Sequence, residues 1–278
     1  MQNIRMKLAA VVLALGTLAT PALAGKGGSA AAINAAVASG SVDAIIAEVE
    51  RAESLICTEC VQTLTNLTED SRYEVREVAA WWFARRPGLK DMLTEQFVGE
   101  LPTGNAVEVR NAADFLGATR SYEAIPQLRA AMHRGDLTPE ARLAVVRAAG
   151  LMAHVKANDV LTTAMADSDA TVRATAVAAW RDVLNQQTAQ PVVPLLADRD
   201  PVVRAKAAGV VGGMAEQSGR GALEVLVTSD PDPVVRRNAA WALGQLGNAA
   251  SRAALLAATT DKSGLVRNVA RASLASLK

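Results

Sequence analysis

The phrase DPDPVVRRNAAWALGQLGN at residues 230–248 has a near copy, DRDPVVRAKAAGVVGG, at 198–213. Aligned on an arginine, seven such segments run through the chain, around Arg76, Arg110, Arg142, Arg173, Arg204, Arg236 and Arg267. Their spacings are 34, 32, 31, 31, 32 and 31 residues. A period held this long restricts the chain to stacked repeats, because one short helix pair cannot bury its apolar face alone and needs neighbours to do so. Half the residues are hydrophobic but only 3% are aromatic. A core filled largely by alanine requires helices that approach closely, so the fold is expected to be all-α.

Each unit reads as helix, short turn, helix. An aspartate stands six residues before the arginine in six units (Asp70, Asp136, Asp167, Asp198, Asp230, Asp261), where it marks the turn. A second aspartate four before it (Asp169, Asp200, Asp232) is placed to cap the second helix, with Pro201 or Pro233 in its first turn. EAIPQLRAAM at 123–132 and QPVVPLLAD at 190–198 typify the first helix. The second unit departs from the pattern. It lacks the aspartate six before Arg110 and runs one residue short to Gly117.

The phrase D-x-D-P-x-V-R-x-x-A-A-x-A-L-G resembles the HEAT repeat, in the short bacterial HEAT-like form also found in phycobilin lyases. The resemblance covers roughly residues 70–278 and is tightest at 198–248. It implies a right-handed α-solenoid of stacked helix-turn-helix repeats over 69–278, with residues 42–68 as an N-terminal capping helix pair. It also implies that the recurring arginines bond to turn aspartates of neighbouring units, Asp198, Asp230 and Asp261 among them, as an interior ladder.

Chemistry finds few footholds. The HEAT-like enzyme deoxyhypusine hydroxylase builds its di-iron centre on His-Glu pairs, but His133 is followed by Arg134 and His154 by Val155. No G-x-S-x-G elbow is present. Three aromatics in a hundred residues are also few for a bilin pocket such as a lyase needs. No cofactor is implied. The pair Cys57 and Cys60, in CTEC, suits a local disulfide near a helix start, two buried thiols, or a redox couple.

The large residues break the repeat more informatively. Trp180 lies seven after its arginine, a core position. Trp81 and Trp241 lie five after theirs, an offset shared by Phe115, Arg147, Ala178, Gly209 and Ala272. On the second helices this offset forms a row on the concave face of a solenoid, where Trp and Arg are favoured as binding anchors. The same indoles could instead pack on the adjacent repeat. The sequence thus points to a non-enzymatic scaffold that meets a protein partner through Trp81, Phe115, Arg147 and Trp241. The alternative is an accessory enzyme or redox factor using Cys57 and Cys60.

The N-terminus reads as an export signal. Arg5 and Lys7 precede the uncharged LAAVVLALGTLAT, and Ala22-Leu23-Ala24 has the small-x-small form of a cleavage site. Residues 25–41 would then be a mobile mature N-terminus. Loss of residues 1–24 removes two basic side chains and no acidic one, leaving 27 basic against 28 acidic. That balance disfavours nucleic acid or an anionic membrane as partner, and no other apolar run is long enough to span a bilayer. N-terminal sequencing of the protein from a cell-envelope or culture fraction is expected to begin at Gly25. An intact Met1 in the cytosolic fraction alone would refute export.

Overall fold

The computed structural model describes residues 28–55 and 57–277, all helix, turn and loop, without strands. The expected signal segment 1–24 lies outside the described residues. Two compact units divide the chain, one ending at Met152 and the other beginning at Ala153.

The first unit holds four helical hairpins: α1 (Ala30–Ser39) with α2 (Val42–Arg51), α3 (Thr58–Leu67) with α4 (Tyr73–Ala84), α5 (Pro87–Glu100) with α6 (Ala106–Ala118), and α7 (Ile125–Met132) with α8 (Pro139–Met152). The second helices α2, α4, α6 and α8 pack side by side. Residues 30–39 therefore correct the expectation of a mobile mature N-terminus. Ser29 caps α1 by accepting from the Ala32 amide, and Gly40 closes it in the left-handed region at φ 72°. The expected capping pair 42–68 also divides differently, since α2 completes the first hairpin and α3 opens the second.

The second unit repeats the plan. It pairs α9 (Asn158–Ala164) with α10 (Ala170–Asp182), a 3-10 helix (Gln190–Ala197) with α11 (Pro201–Gly213), α12 (Arg220–Ser229) with α13 (Pro233–Leu246), and α14 (Arg252–Ala258) with α15 (Gly264–Ala275). Pro194 lies inside the 190–197 segment. A proline there removes a backbone donor, and the segment winds as 3-10.

Local chemistry sets these boundaries. Asp169, Asp200 and Asp232 each accept from the two amides two and three residues ahead, at the starts of α10, α11 and α13. Such caps contribute about 1 kcal/mol apiece. Close helix approach depends on small residues. A Cβ on Gly212 would lie 2.5 Å from the Ala242 Cα of the next second helix, and one on Gly117 would lie 2.5 Å from that of Ala148.

The arginine ladder is formed. Arg173 holds Asp198 through Nε (2.7 Å) and Nη2 (2.8 Å), Arg204 holds Asp230 (2.7 and 3.1 Å), and Arg236 holds Asp261 (2.7 and 3.0 Å). Each of these arginines also donates Nη1 to the carbonyl of its own turn aspartate, at 2.8 Å to Asp167, Asp198 and Asp230. Arg267 makes the same carbonyl contact to Asp261 at 2.7 Å, and Arg142 donates to the Leu137 carbonyl. The carboxylates are tied down as well: Asp198, Asp230 and Asp261 accept from the amides of Asp200, Asp232 and Ser263 at 2.8, 2.9 and 2.7 Å. One carboxylate thus sets its own turn and joins it to the preceding repeat.

The Asp230 side chain is only 3% exposed, so Asp230→Ala leaves the Arg204 guanidinium without its carboxylate. Its cost is expected to be about 3 kcal/mol in urea unfolding. The Arg236 hydrogen bonds hold the Asp261 carboxyl below the ordinary carboxylate range, burial opposing them. That contribution is complete above the unfolded pKa, about 3.9, and is lost as pH falls through the lower folded value. Asp261→Asn is therefore expected to be less stable at neutral pH and to lose less stability than the parent on acidification. Parallel pH profiles would contradict this.

Candidate functional site

The row on the second helices depends on register, and the structure moves that register by one residue in α6. Asn105 caps α6 with a reciprocal capping box to Glu108, which puts the N-cap four residues before Val109. Arg110 gives Nε and Nη2 to Asn111 Oδ1 at 3.1 and 2.9 Å, and Arg237 gives the same pair to Asn238 Oδ1 at 3.1 and 2.8 Å. Arg110 is therefore the counterpart of Arg237, and the ladder position is held by Val109, fully buried. Arg110 is not a rung. The residue six before Val109 is Thr103 in place of the turn aspartate. Both halves of the regular pattern are missing from this hairpin.

The slip also relocates the row. Five residues past Val109 stands Asp114, and Phe115 turns into the core at 1% exposure, with Phe97 and Phe83 rings at 4.9 and 6.0 Å. Phe115 is therefore removed from the set of surface residues. Asp114 supplies the carboxylate that the turn lacks: Arg76 donates to its Oδ2 at 2.6 and 3.0 Å, and Arg147 to its Oδ1 at 2.8 and 3.3 Å. Arg147, expected to face a partner, is thus ion-paired inside the row and lies 4.6 Å from the centre of the Tyr73 ring. Burial first, then the charges of Glu77 and Asp114, pushes the Tyr73 phenol up to about 12. Burial and the neighbouring Arg76 charge lower the Arg110 pKa. With Val109 opposite it, Asp136 turns to Arg134 at 2.6 Å.

The tryptophans separate. Trp82 is buried and donates Nε1 to the Ala52 carbonyl at 3.0 Å. Its row neighbour Trp81 is half-buried under the Arg85 guanidinium, 3.8 Å from the ring centre. Arg86 stacks on Trp82 and donates to the carbonyls of Glu53 and Leu55 at 2.6 and 2.9 Å, and burial lowers its pKa to about 10. Trp180 is core, with Nε1 on the Thr188 carbonyl at 2.8 Å. Trp241 alone among the four is exposed, at 39%. One edge of its indole rests where Gly212 and Gly213 carry no side chain: their Cβ atoms would come within 3.1 and 3.8 Å of it.

Cys57 and Cys60 form a disulfide at the start of α3, with Cα atoms 5.3 Å apart. Cys60 is buried, and its amide donates to Cys57 Sγ. His154 caps a 3-10 turn by accepting the Lys156 amide at Nδ1, 3.0 Å.

The profile of a family described as HEAT repeats matches residues 101–181 and 189–275. No curated protein sequence matches the chain. Among solved structures, the Escherichia coli protein YibA superposes with a TM-score of 0.55 at 14% identity, over 87% of this chain and 91% of that one. An engineered protein gives 0.52 at 20% identity, over 91% and 82%. A chain from the complex of Kap95p with RanGDP gives 0.54 at 13% identity, over 88% of this chain but only 41% of that one. At these identities the likeness is one of fold.

Asp114 is the dependency of the row, because Arg76 and Asp114 are 3% and 2% exposed and have each other as charged partners. Asp114→Ala is expected to destabilise by about 3–5 kcal/mol, and Arg147→Ala, whose side chain is 25% exposed, by clearly less. Equal midpoints of chemical unfolding for the two variants would show that Arg76 has found another partner.

Proposed function

Because the chain belongs to the HEAT-repeat family, we propose that it is an exported, non-enzymatic scaffold that binds a protein partner through the exposed row on its second helices. The observation that carries this reading is Trp241. Every other large residue of the row is engaged: Trp81 beneath Arg85, and Asp114 and Arg147 with each other. Trp241 is flanked in its unit by Ala178, Gly209 and Ala272, too small to cover it. An uncovered indole beside glycine on a rigid helix offers a large contact area at little entropic cost, as binding hot spots do. The regular features, caps, ladder and small-residue contacts, all serve stacking, so recognition falls to the side chains that depart from the repeat. Export rests on residues 1–24. Stacked repeats give such a scaffold an extended surface.

A photo-crosslinking residue at position 241, activated in intact cells, is expected to capture one dominant protein. The same residue at Val225, exposed on the first helix α12, is the control. Equal capture at both positions, or none at 241, would overturn the reading.

A further inference from the structure

The ladder is interrupted in opposite senses in the two units. At the third hairpin Thr103 stands in place of the turn aspartate, and a cavity of about 410 Å³ opens there, lined by Glu69, Glu95, Glu100 and Glu108. In the second unit Arg267 is an arginine without a carboxylate. Its Nη1 donates to the carbonyls of Asp261 and Lys262 at 2.7 and 3.1 Å. The same two contacts to their own turns orient Arg173 (2.8 and 3.0 Å), Arg204 (2.8 and 3.2 Å) and Arg236 (2.8 and 3.1 Å). In those three the remaining edge, Nε with Nη2, grips the aspartate of a neighbouring turn. In Arg267 that edge has no acceptor among the described residues.

The open edge is preorganised. A guanidinium already held through one nitrogen loses little freedom on gaining a carboxylate, and its two parallel donors match that group. The surroundings carry the complementary sign: residues 249–277 hold Arg252, Lys262, Arg267 and Arg271 against one carboxylate, Asp261, which Arg236 occupies. Arg271, one helical turn past Arg267, is exposed, whereas its counterparts Val177, Ala208 and Ala240 are fully buried. Another alanine-lined hairpin stacked here would have to bury that charge. A second copy of this chain also brings no free complement. Asp198, Asp230 and Asp261 are in the ladder, Asp70 is held by Arg72 at 2.8 Å, Asp136 by Arg134 at 2.6 Å, and Asp167 is engaged as well. The turn of the α1–α2 hairpin has Ser39 in the aspartate position, its Oγ accepting the Ser41 amide at 3.2 Å.

We propose that the open edge of Arg267 docks an acidic turn of a partner protein, an Asp-x-Asp-Pro phrase whose first carboxylate takes Nε and Nη2 as Asp261 takes those of Arg236. Arg271 adds a second positive charge beside it. The chain itself shows the form of the complement three times, in the turns that begin at Asp198, Asp230 and Asp261. In each, the carboxylate that meets the arginine also accepts the amide two residues on, so the turn presents it in a fixed direction. The contact is separate from the row at Trp241 and goes beyond it.

The probe is a fluorescein-labelled Ser-Asp-Pro-Asp-Pro-Val-Val peptide, the sequence of residues 229–235, titrated with the full chain and read by anisotropy. The comparison peptide has asparagine in place of the first aspartate. Saturable binding of the aspartate peptide is expected, weakened about tenfold by the asparagine and by Arg267→Lys, since lysine keeps the charge but cannot offer two parallel donors. Arg252→Gln removes a charge from an exposed position at the start of α14, the opposite end of the hairpin from its turn, and should bind as the parent does. Absence of saturable binding, equal binding of the two peptides by the parent chain, or equal weakening by Arg267→Lys and Arg252→Gln overturns the site. Displacement by acetate at the concentration of the peptide overturns the turn assignment in favour of a bare carboxylate. Sedimentation of the chain alone reads the remaining occupant: self-association abolished by Arg267→Lys would give the edge to a second copy, and a monomer at all concentrations is expected. Crosslinking at position 241 reads the row, so either contact can fail without the other.

Discussion

The bidentate contact between an arginine on one second helix and the turn aspartate of the next hairpin is what the second unit depends on. Three consecutive contacts, Arg173 with Asp198, Arg204 with Asp230 and Arg236 with Asp261, share nearly the same geometry. The same guanidinium reaches back to its own turn carbonyl, and the same carboxylate accepts an amide two residues on. Each carboxylate therefore closes its own turn and holds the preceding hairpin's arginine at once. A surface ion pair would contribute little. Arg173, Asp230 and Arg236 are buried and Asp198, Arg204 and Asp261 largely so, and the main effect of these bidentate contacts is to specify how one hairpin meets the next. The apolar contacts between alanine-lined helices, similar from repeat to repeat, would tolerate a slip that the ladder does not.

Where the ladder lapses, the structure compensates with a carboxylate drawn from a different place. Val109 and Thr103 remove both members of the regular pattern from the third hairpin, which leaves Arg76 without its turn partner. A buried guanidinium cannot remain unpaired at reasonable cost, and Asp114, on the next helix, takes it. That substitution spends a row position, draws in Arg147 and leaves space at the turn. One local change in sequence thus accounts for an interior ion triad, an outward-turned Asp136 and an acidic cavity.

The sequence was most legible where the repeat is most regular. Period, turn aspartates and caps follow from one recurring phrase, and Trp180 was correctly placed in the core by its offset from Arg173. The reading slipped in α6 because Arg110 supplies an arginine one residue late, and alignment on arginine alone accepted it. The R-N-A-A phrase shared by residues 110–113 and 237–240, and the Asn105 to Glu108 capping box, carried the true register. Phe115 moved with it, out of the row and into the core. The helix at Ala30–Ser39 was missed because an alanine-rich segment without turn aspartate or arginine looks like an extension of a mobile tail. Ser29 and Gly40 were its only punctuation. The pairing of Arg147 with Asp114 could not be read at all, since it joins two helices whose relative placement is set by packing.

In a repeat protein, function has to be sought in what the repeat does not explain, and the departures here are of two physical kinds. Trp241 adds a large side chain at a position where its neighbours in the unit are alanine or glycine, so the surplus is apolar area left uncovered. The third hairpin subtracts, and its surplus is space lined by carboxylates. A surplus of area favours a partner that brings a complementary apolar surface, with specificity from shape. A surplus of carboxylates favours positive charge, with specificity from electrostatics. The two lie in different compact units, and neither uses a member of the arginine ladder. On the proposed scaffold reading, a chain built this way changes what it binds without changing how it stacks, because the ladder that joins the hairpins and the residues proposed for a partner are different.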